Sequence, residues 1–387
     1  MDWQSSSTEI LLNPRLPQQE QQLLCDTLHA FNLKAHVWLA TSGSTSRANE
    51  GGKWVALSKE AILASAYAVN QHLQSDSSDI WLNPLPDFHV GGLGIWARSY
   101  LSGAKCIDYT QASLSKWNPV ECYQTLVESR ATLTAMVSAQ LYDLVRLELR
   151  SPATLRALII GGGALQPALY AKAIELGWTV LPSYGLTECA SQVATASLIQ
   201  NSGDTKESLP PLQLLPHLQA VITPTGLIGL KGNAVLTAYA VSTQVGMQLI
   251  DPKQDGWFYT EDRGILTGNT LQILGRSEGF LKIGGESVEM KRLEGIFEEL
   301  RLELKISCDV ALIAFPDERL GSVIHLVATE SNSTIEECMQ RYAARVLPFE
   351  RIRELHVVEE IPRTALNKLR KEEVLQLIKS RSAPVPL

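Results

Sequence analysis

Leu155 to Glu188 reads "LRALIIGGGALQPALYAKAIELGWTVLPSYGLTE". "LRALIIGGG" and "WTVLPSYG" are short apolar runs bounded by glycine, and the residues between them suit a helix. Strand, helix, strand in that order gives two parallel strands joined by a crossover. Continuous apolar runs of this kind belong to strands covered on both faces. The same alternation extends outward from Ala35 to Pro182. "AHVWLA" is apolar, and "LSKEAILASAYAVNQHL" carries helical spacing behind the cap candidate Ser58. "DIWLNPLP" and "AKCIDY" are strand-like around a helix in "GGLGIWARSYLSGA". "NPVECYQTLVESR" is a helix with Asn118 at its cap and Pro119 in its first turn. "ATLTAMVS" is a further strand. The expectation is an α/β fold, a parallel sheet with helices on its faces.

The texture changes after about Asn201. Beyond the polar loop "NSGDTKESLPP", short strands follow, punctuated by glycine: "LQAVIT", "GLIGLKG", "GWFYTED", "RGILTG" and "TLQILGR". They predict a small antiparallel β unit. From about Glu278 the chain reads as a third, α+β piece. There "MKRLEGIFEELRL" and "TIEECMQRYAARVL" are helices, and "CDVALIAFPDE" and "SVIHLVATE" are strands. The domains expected are therefore 1–277, with sheet layers and the β unit, and 278–387, small and α+β. The tail "SAPVPL" is expected to fray.

A length of 387 residues suits two or three domains, and 45% hydrophobic with 19% charged residues is a globular composition. The net charge of −7 is spread without a long run of one sign, which argues against nucleic acid or an anionic membrane as partner. The six cysteines form no CxxC pair, which argues against zinc and suits reduced thiols in the cytosol. "MDWQSSSTEI" lacks a basic start and an apolar run, so no signal peptide is expected. No apolar stretch reaches membrane-spanning length. Homo-oligomerisation stays open.

Four clusters carry chemistry-bearing residues. "TSGSTS", Thr41 to Ser46, sets hydroxyls around Gly43, so that backbone N–H groups and hydroxyls can converge on phosphate oxygens. It lacks GxxxxGK[ST], and an ordinary turn is the commoner meaning of such composition. "SYGLTECASQ", Ser183 to Gln192, follows a strand at the edge where ligands collect in parallel sheets. There Tyr184 could stack on a base, Thr187 hold a phosphate and Glu188 ligate Mg²⁺. A strand end with a helix cap is the plain rival. In "GWFYTEDRGIL" and "LQILGRSEGFLKIGGESVEM", Asp262 and Arg276 could bind ribose hydroxyls. "KIGGE" is either a channel lining or a turn. In "IPRTALNKLRKEEV", Lys368 stands at a helix start, where the helix dipole disfavours a cation.

In order, "TSGSTS", "LPDFHVGGLG", "IIGGGAL", "YGLTE", "YTED", "GRSEGFLKIGGE" and "PRTALNK" resemble the motif series of the adenylate-forming acyl-CoA ligase superfamily. The likeness covers nearly the whole chain from about Trp38. Within that superfamily, "NPLPDFHVGGLGIWARSYLSGAK", "YGLTECASQVAT" and "PRTALNK", with the brevity of the chain, are similar to the o-succinylbenzoate–CoA ligase branch of menaquinone and phylloquinone synthesis. The resemblance implies a cytoplasmic enzyme using ATP, Mg²⁺ and coenzyme A on a small aromatic carboxylic acid. The acid attacks the α-phosphorus of ATP to give an acyl-adenylate, and coenzyme A then displaces AMP. It implies that Thr41, Ser42, Gly43, Ser44 and Thr45 cradle phosphates. Tyr184 and Gly185 would meet adenine, with Gly162 and Gly163 nearby. Thr187 would contact the α-phosphate, and Glu188 the metal. Asp262 would take the ribose, with Arg276 close by, and Lys368 would bridge the carboxylate and the α-phosphate. A mobile C-terminal domain would turn about Glu278, bringing Lys282, Gly284 and Gly285 to line the pantetheine tunnel. His89 would gate the acid pocket, with Arg98, Ser191 and Gln192 as partners for a dianionic acid.

The chain also departs from the family pattern. Ser46 stands where glycine is usual, and "RANEGG" displaces Lys53. Glu261 and Asn367 replace glycines, and Glu278 replaces an aspartate. The first subdomain is expected to be trimmed. Rival readings are a ligase for another aryl or acyl acid, delivery to a carrier protein, or an inactive nucleotide-binding relative.

Overall fold

The structure is a computed structural model that describes residues 1–40, 53–109, 117–198, 208–243, 246–276, 280–363 and 369–382. The chain separates into two units, Met1–Ser277 and Glu278–Leu387. The first opens with β1 (Glu9–Leu11), α1 (Gln18–His29), β2 (His36–Ala40), β3 (Lys53–Ser58) and α2 (Lys59–Leu73). It continues through β4 (Ile80–Asn83), α3 (Val90–Ser102), β5 (Lys105–Asp108), α4 (Pro119–Glu128), β6 (Leu133–Val137) and α5 (Ser138–Arg146). Next come β7 (Ala157–Gly161), α6 (Pro167–Glu175), β8 (Val180–Leu186), a single 3-10 turn and β9 (Ser191–Ala196). The unit ends with β10 (Leu212–Leu214), β11 (Leu218–Ile222), β12 (Leu227–Gly232), β13 (Ala238–Thr243), β14 (Gly246–Ile250), β15 (Phe258–Thr267) and β16 (Thr270–Arg276).

The caps read from sequence are made. Ser58 accepts a hydrogen bond from the Ala61 amide at the start of α2. Asn118 accepts from the amides of Val120 and Glu121, with Pro119 in the first turn of α4. Each such bond satisfies a donor that the helix itself leaves open.

Strands β8, β7, β6, β4 and β5 lie side by side in parallel, as the opening stretch predicts. Leu158 and Ile160 of β7 face one way, into a core with Cys122 and Leu126 of α4, Leu141 and Leu144 of α5 and Tyr170 of α6. Ile159 faces the other way, with Val69 and Leu73 of α2, Ile95 of α3 and Trp81 of β4. Burial of each such side chain contributes about 1.5–3 kcal/mol. At the amino ends of these strands, Asp79 accepts from Arg156 Nε (2.9 Å) and Nη2 (2.6 Å) and from Thr132 Oγ1 (2.7 Å). One carboxylate thus ties together the starts of β4, β6 and β7.

Two sequence expectations are corrected. The run at Ala35 does not enter the parallel sheet. It forms β2, which pairs antiparallel with β3 in a separate sheet ordered β1-β2-β3-β13-β14. The strands after Asn201 do not make a β unit of their own either. β9, β10, β16, β15, β12 and β11 continue the parallel sheet edge to edge, giving eleven strands among the described residues, and β13 and β14 join the other sheet. The reason is the reversal after β8, which lays β9 antiparallel against it and leaves the outer edge of β9 for β10.

The second unit contains the hairpin β17 (Phe280–Ile283) and β18 (Glu286–Glu289), then α7 (Met290–Glu303), β19 (Val310–Asp317) and β20 (Gly321–Ala328). α8 (Ser333–Arg345), β21 (Ile352–Val357) and α9 (Lys371–Ser382) follow. β20 is central, antiparallel to β19 and parallel to β21. Ile324, Leu326 and Ala328 of β20 pack with Leu293 and Phe297 of α7 and Tyr342 of α8. Val327 faces the other way, with Ile313 of β19 and Val374 and Ile378 of α9.

Candidate active site

β8 carries the site's first residues past the end of the parallel sheet. Its last residues, Ser183–Leu186, pair with β9 across a bulge at Tyr184/Gly185. A Cβ on Gly185 would stand 2.0 Å from the Ser191 carbonyl oxygen, so only glycine permits this close approach. The chain reverses through Thr187–Cys189 and then through Ala190 and Ser191 at φ of 52° and 102°. Two non-glycine residues in that region cost on the order of 1–3 kcal/mol each, a strain that surrounding packing must hold. Ala190 and Ser191 are both buried.

Glu188 lies within this turn. Its Oε1 accepts from the Tyr239 hydroxyl at 2.8 Å, and its backbone carbonyl accepts from the Leu236 amide at 2.7 Å. Tyr239 belongs to β13, in the other sheet. Burial, and then the Glu188 carboxylate, push its phenol far above the ordinary value, so it remains a donor at any working pH. The ammonium of Lys53, at the start of β3, sits 5.4 Å from the centre of the Tyr239 ring. The displaced lysine therefore reaches the neighbourhood of Glu188 from a strand. A half-buried carboxylate held by one hydroxyl is a fitting ligand for Mg²⁺, which keeps most of its waters and takes few protein oxygens.

Tyr184 donates to Asp262 Oδ2 at 2.8 Å. Burial and the Asp262 charge both push this phenol up, which keeps its proton on the oxygen. The two residues lie on β8 and β15, four places apart in the sheet order, so the antiparallel half curls back over the end of β8. Bulges at Tyr184/Gly185 and Arg263/Gly264 allow the bend. The Asp262 amide is in turn bonded to Thr260 Oγ1 at 3.1 Å. Arg276 is the backbone partner of Asp262 across β15 and β16. Gly162 and Gly163 follow directly on β7, one strand from β8, and Gly162 has φ 78°.

His89 caps α3 without a side-chain bond to the helix, and its ring lies against Phe88 with centroids 4.6 Å apart. Arg98, on the same helix, is 1% exposed. Its Nη2 donates to Ser191 Oγ at 3.4 Å and its guanidinium lies over Trp81, 5.6 Å from the ring centre. Burial lowers its pKa to about 10, so it keeps its charge at neutral pH. Among the described residues no carboxylate pairs with it, and its Nε is buried without a partner. Gln192, beside Ser191, is buried and accepts from Thr195 Oγ1 at 2.6 Å.

The fold thus brings together Tyr184 with Asp262, and Arg98 with Ser191. Thr187 sits beside Glu188 in the turn. Thr41, Ser42, Gly43, Ser44, Thr45, Glu278 and Lys368 lie outside the described residues. In the second unit, "KIGGE" is the tip of the β17–β18 hairpin. Gly284 and Gly285, at φ 60° and 93°, form a two-residue loop between the paired Ile283 and Glu286. Lys282 Nζ donates to the Gly285 carbonyl at 3.2 Å. The residues missed in sequence are Tyr239 and Thr260. Thr260 had a signal, since it belongs to the quoted "YTED". Tyr239, in "TAYAVS", had none.

A family model described as AMP-binding enzyme matches residues 35–223. A 2-succinylbenzoate–CoA ligase of Bacillus cereus is 28% identical over 348 residues, covering 87% of this chain and 69% of that protein. Its counterpart from Bacillus cytotoxicus is 26% identical, covering 88% and 70%. Among solved structures, a double mutant of o-succinylbenzoate CoA synthetase from Bacillus subtilis, bound with a product analogue, is similar at a TM-score of 0.68 and 23% identity. That match covers 88% of this chain and 69% of that one. The amide bond synthetase of Marinactinospora thermotolerans is similar at a TM-score of 0.71 and 18% identity, covering 89% and 69%. At these identities the structural likeness is one of fold.

Proposed function

From the AMP-binding enzyme domain matched over residues 35–223, we propose that the chain joins o-succinylbenzoate to coenzyme A with ATP, through an acyl-adenylate. The observation that carries this is that Tyr184, bonded to Asp262, and Glu188, bonded to Tyr239, both stand at the carboxyl end of β8. That is where an open α/β sheet takes its ligand. The relatives support the choice of acid, since those of Bacillus are named for it. Structures of the Bacillus subtilis enzyme hold ATP with magnesium and the acyl-adenylate.

In this reading Asp262, steadied by Tyr184 and Thr260, accepts from the ribose hydroxyls, with Arg276 on the paired strand. The Tyr184 ring offers adenine a face, bordered by Gly162, Gly163 and Gly185. Thr187 donates to the α-phosphate. Residues 41–45 donate to the outer phosphates. Glu188 would hold Mg²⁺, which when bound neutralises phosphate charge. The acid's reacting carboxylate attacks the α-phosphorus and pyrophosphate leaves. Lys368 offsets the negative charge that gathers there, and a lysine ammonium does this without acting as a base. The coenzyme A thiolate then attacks the acyl carbon and AMP leaves, with Lys282, Gly284 and Gly285 beside the pantetheine arm and Glu278 as hinge.

The second carboxylate of the acid is the part that selects it. Among the described residues Arg98 is a buried cation without a carboxylate, and such a charge is costly unless something pairs with it. Arg98, Ser191 and Gln192 are therefore assigned to that second carboxylate, with His89 at the entrance. The proposed location is the cytosol. All six cysteines are free thiols, and no helix among the described residues is long and apolar enough to cross a membrane.

The test is pyrophosphate release from ATP and Mg²⁺ over a panel of acids, followed by thioester formation with coenzyme A. Release is expected with o-succinylbenzoate well above benzoate or a fatty acid. No acid-dependent release overturns the ligase reading. Release with monoacids alone overturns the choice of acid and leaves adenylation standing.

A further inference from the structure

β20 and β21 lie side by side in the Glu278–Leu387 unit, and one face of this sheet is covered by α9 through Val327, Ile313, Val374 and Ile378. His325 shares that face with Val327, since residues two apart on a strand point the same way. It is 6% exposed, an imidazole where the neighbouring positions are apolar. His356, on β21, brings its Nε2 to 2.8 Å from His325 Nδ1. Glu354 stands two residues before His356 and so faces the same way, with Oε1 3.9 Å from His356 Nδ1. Phe315, on β19, stacks on His325 at 4.7 Å between centroids and 8° between planes, and on His356 at 6.0 Å and 27°. The rings are thus held in fixed planes by a third ring.

We infer that His325, His356 and Glu354, all residues of the second unit, form a binding site for a divalent late transition metal of the Ni²⁺, Cu²⁺ and Zn²⁺ class. One ligand atom from each lies within 4.8 Å of the others. Two imidazoles and a carboxylate are borderline donors that favour these ions over Mg²⁺ and Ca²⁺. Metal–nitrogen bonds of about 2.0–2.1 Å at a right angle place the two nitrogens about 2.9 Å apart, and a tetrahedral angle places them about 3.3 Å apart. The 2.8 Å pair therefore needs only a small separation to accept an ion. Glu354 is on the exposed side and can turn toward it. The ion would clamp β20 to β21, and binding only to the folded unit raises its stability.

The test is calorimetric titration of the full chain with Ni²⁺ in excess Mg²⁺, paired with thermal unfolding. One Ni²⁺ per chain, binding well below millimolar and raising the unfolding temperature, is expected. His356→Asn should abolish this binding. Glu354→Gln, an exposed change that leaves the fold intact, should weaken it about tenfold or more. Absence of saturable Ni²⁺ binding to the wild type overturns the site, and so does unchanged binding in Glu354→Gln.

Discussion

Tyr239 shows how one hydroxyl can matter to a carboxylate it does not neighbour in sequence. It stands on β13, and its bond to Glu188 crosses from one sheet to the other. A hydrogen bond to a charged group contributes about 1.5–3 kcal/mol when it is fully realised. Glu188 is half-buried, so water can replace part of that loss, and folding stability should fall by only about 1 kcal/mol in Tyr239→Phe. What the variant loses is the fixed direction of the carboxylate. Catalytic efficiency should drop about ten- to hundredfold, with a raised Mg²⁺ requirement. Steady-state rates against Mg²⁺ concentration check this. An unchanged Mg²⁺ dependence would show that Tyr239 does not position Glu188. The pairing was hidden in the sequence because it spans 51 positions and two sheets. The Ser58 and Asn118 caps, by contrast, were legible because donor and acceptor lie within three residues.

Among the elements, the strands buried on both faces were the readable ones. β6, β7 and β8 are continuous apolar runs, which is what a strand between two helix layers demands. Which sheet a strand joins is decided by distant edges instead. β2 looks like its parallel neighbours yet pairs with β3, and β10 to β16 are shared between two sheets. The parallel strands also depend on the Asp79 clasp at their amino ends. Burial by itself would raise the Asp79 pKa, but the hydrogen bonds from Arg156 and Thr132 and the Arg156 charge outweigh it, and the net shift is downward. A carboxylate with a depressed folded pKa stabilises above its unfolded pKa. It loses that contribution as pH falls through the folded value. Asp79→Asn should therefore cost about 2–3 kcal/mol at pH 7, the lower side of a broken buried pair because Arg156 is partly exposed. The gap between variant and wild type should narrow only below the ordinary carboxylate value of 3.8. Denaturant unfolding across that range measures it. A gap that closes between pH 7 and 5 would assign the stabilisation to another group.

At the scale of the molecule, the proposed chemistry is divided between two units that each carry their own hydrophobic cores. Tyr184, Glu188 and Asp262 belong to Met1–Ser277. Lys368 and the "KIGGE" hairpin belong to Glu278–Leu387. Under the proposed reaction these two features of the second unit serve different steps, Lys368 the first and the hairpin the second. A change in one should then spare the other's step, and because the cores are separate it should spare the fold of the first unit too. Lys368→Ala should slow acid-dependent pyrophosphate release about 10²–10³-fold, the usual loss when one donor to developing charge is removed. Thioester formation from a supplied acyl-adenylate should stay near the wild-type rate. Glu278→Pro should show the opposite pattern, because a fixed φ at the hinge restricts the turn needed only for the second step. Measuring both half-reactions on both variants separates the cases. Equal loss of both steps in Lys368→Ala would mean that Lys368 acts throughout the cycle, and a single orientation of the second unit would then have to serve both reactions.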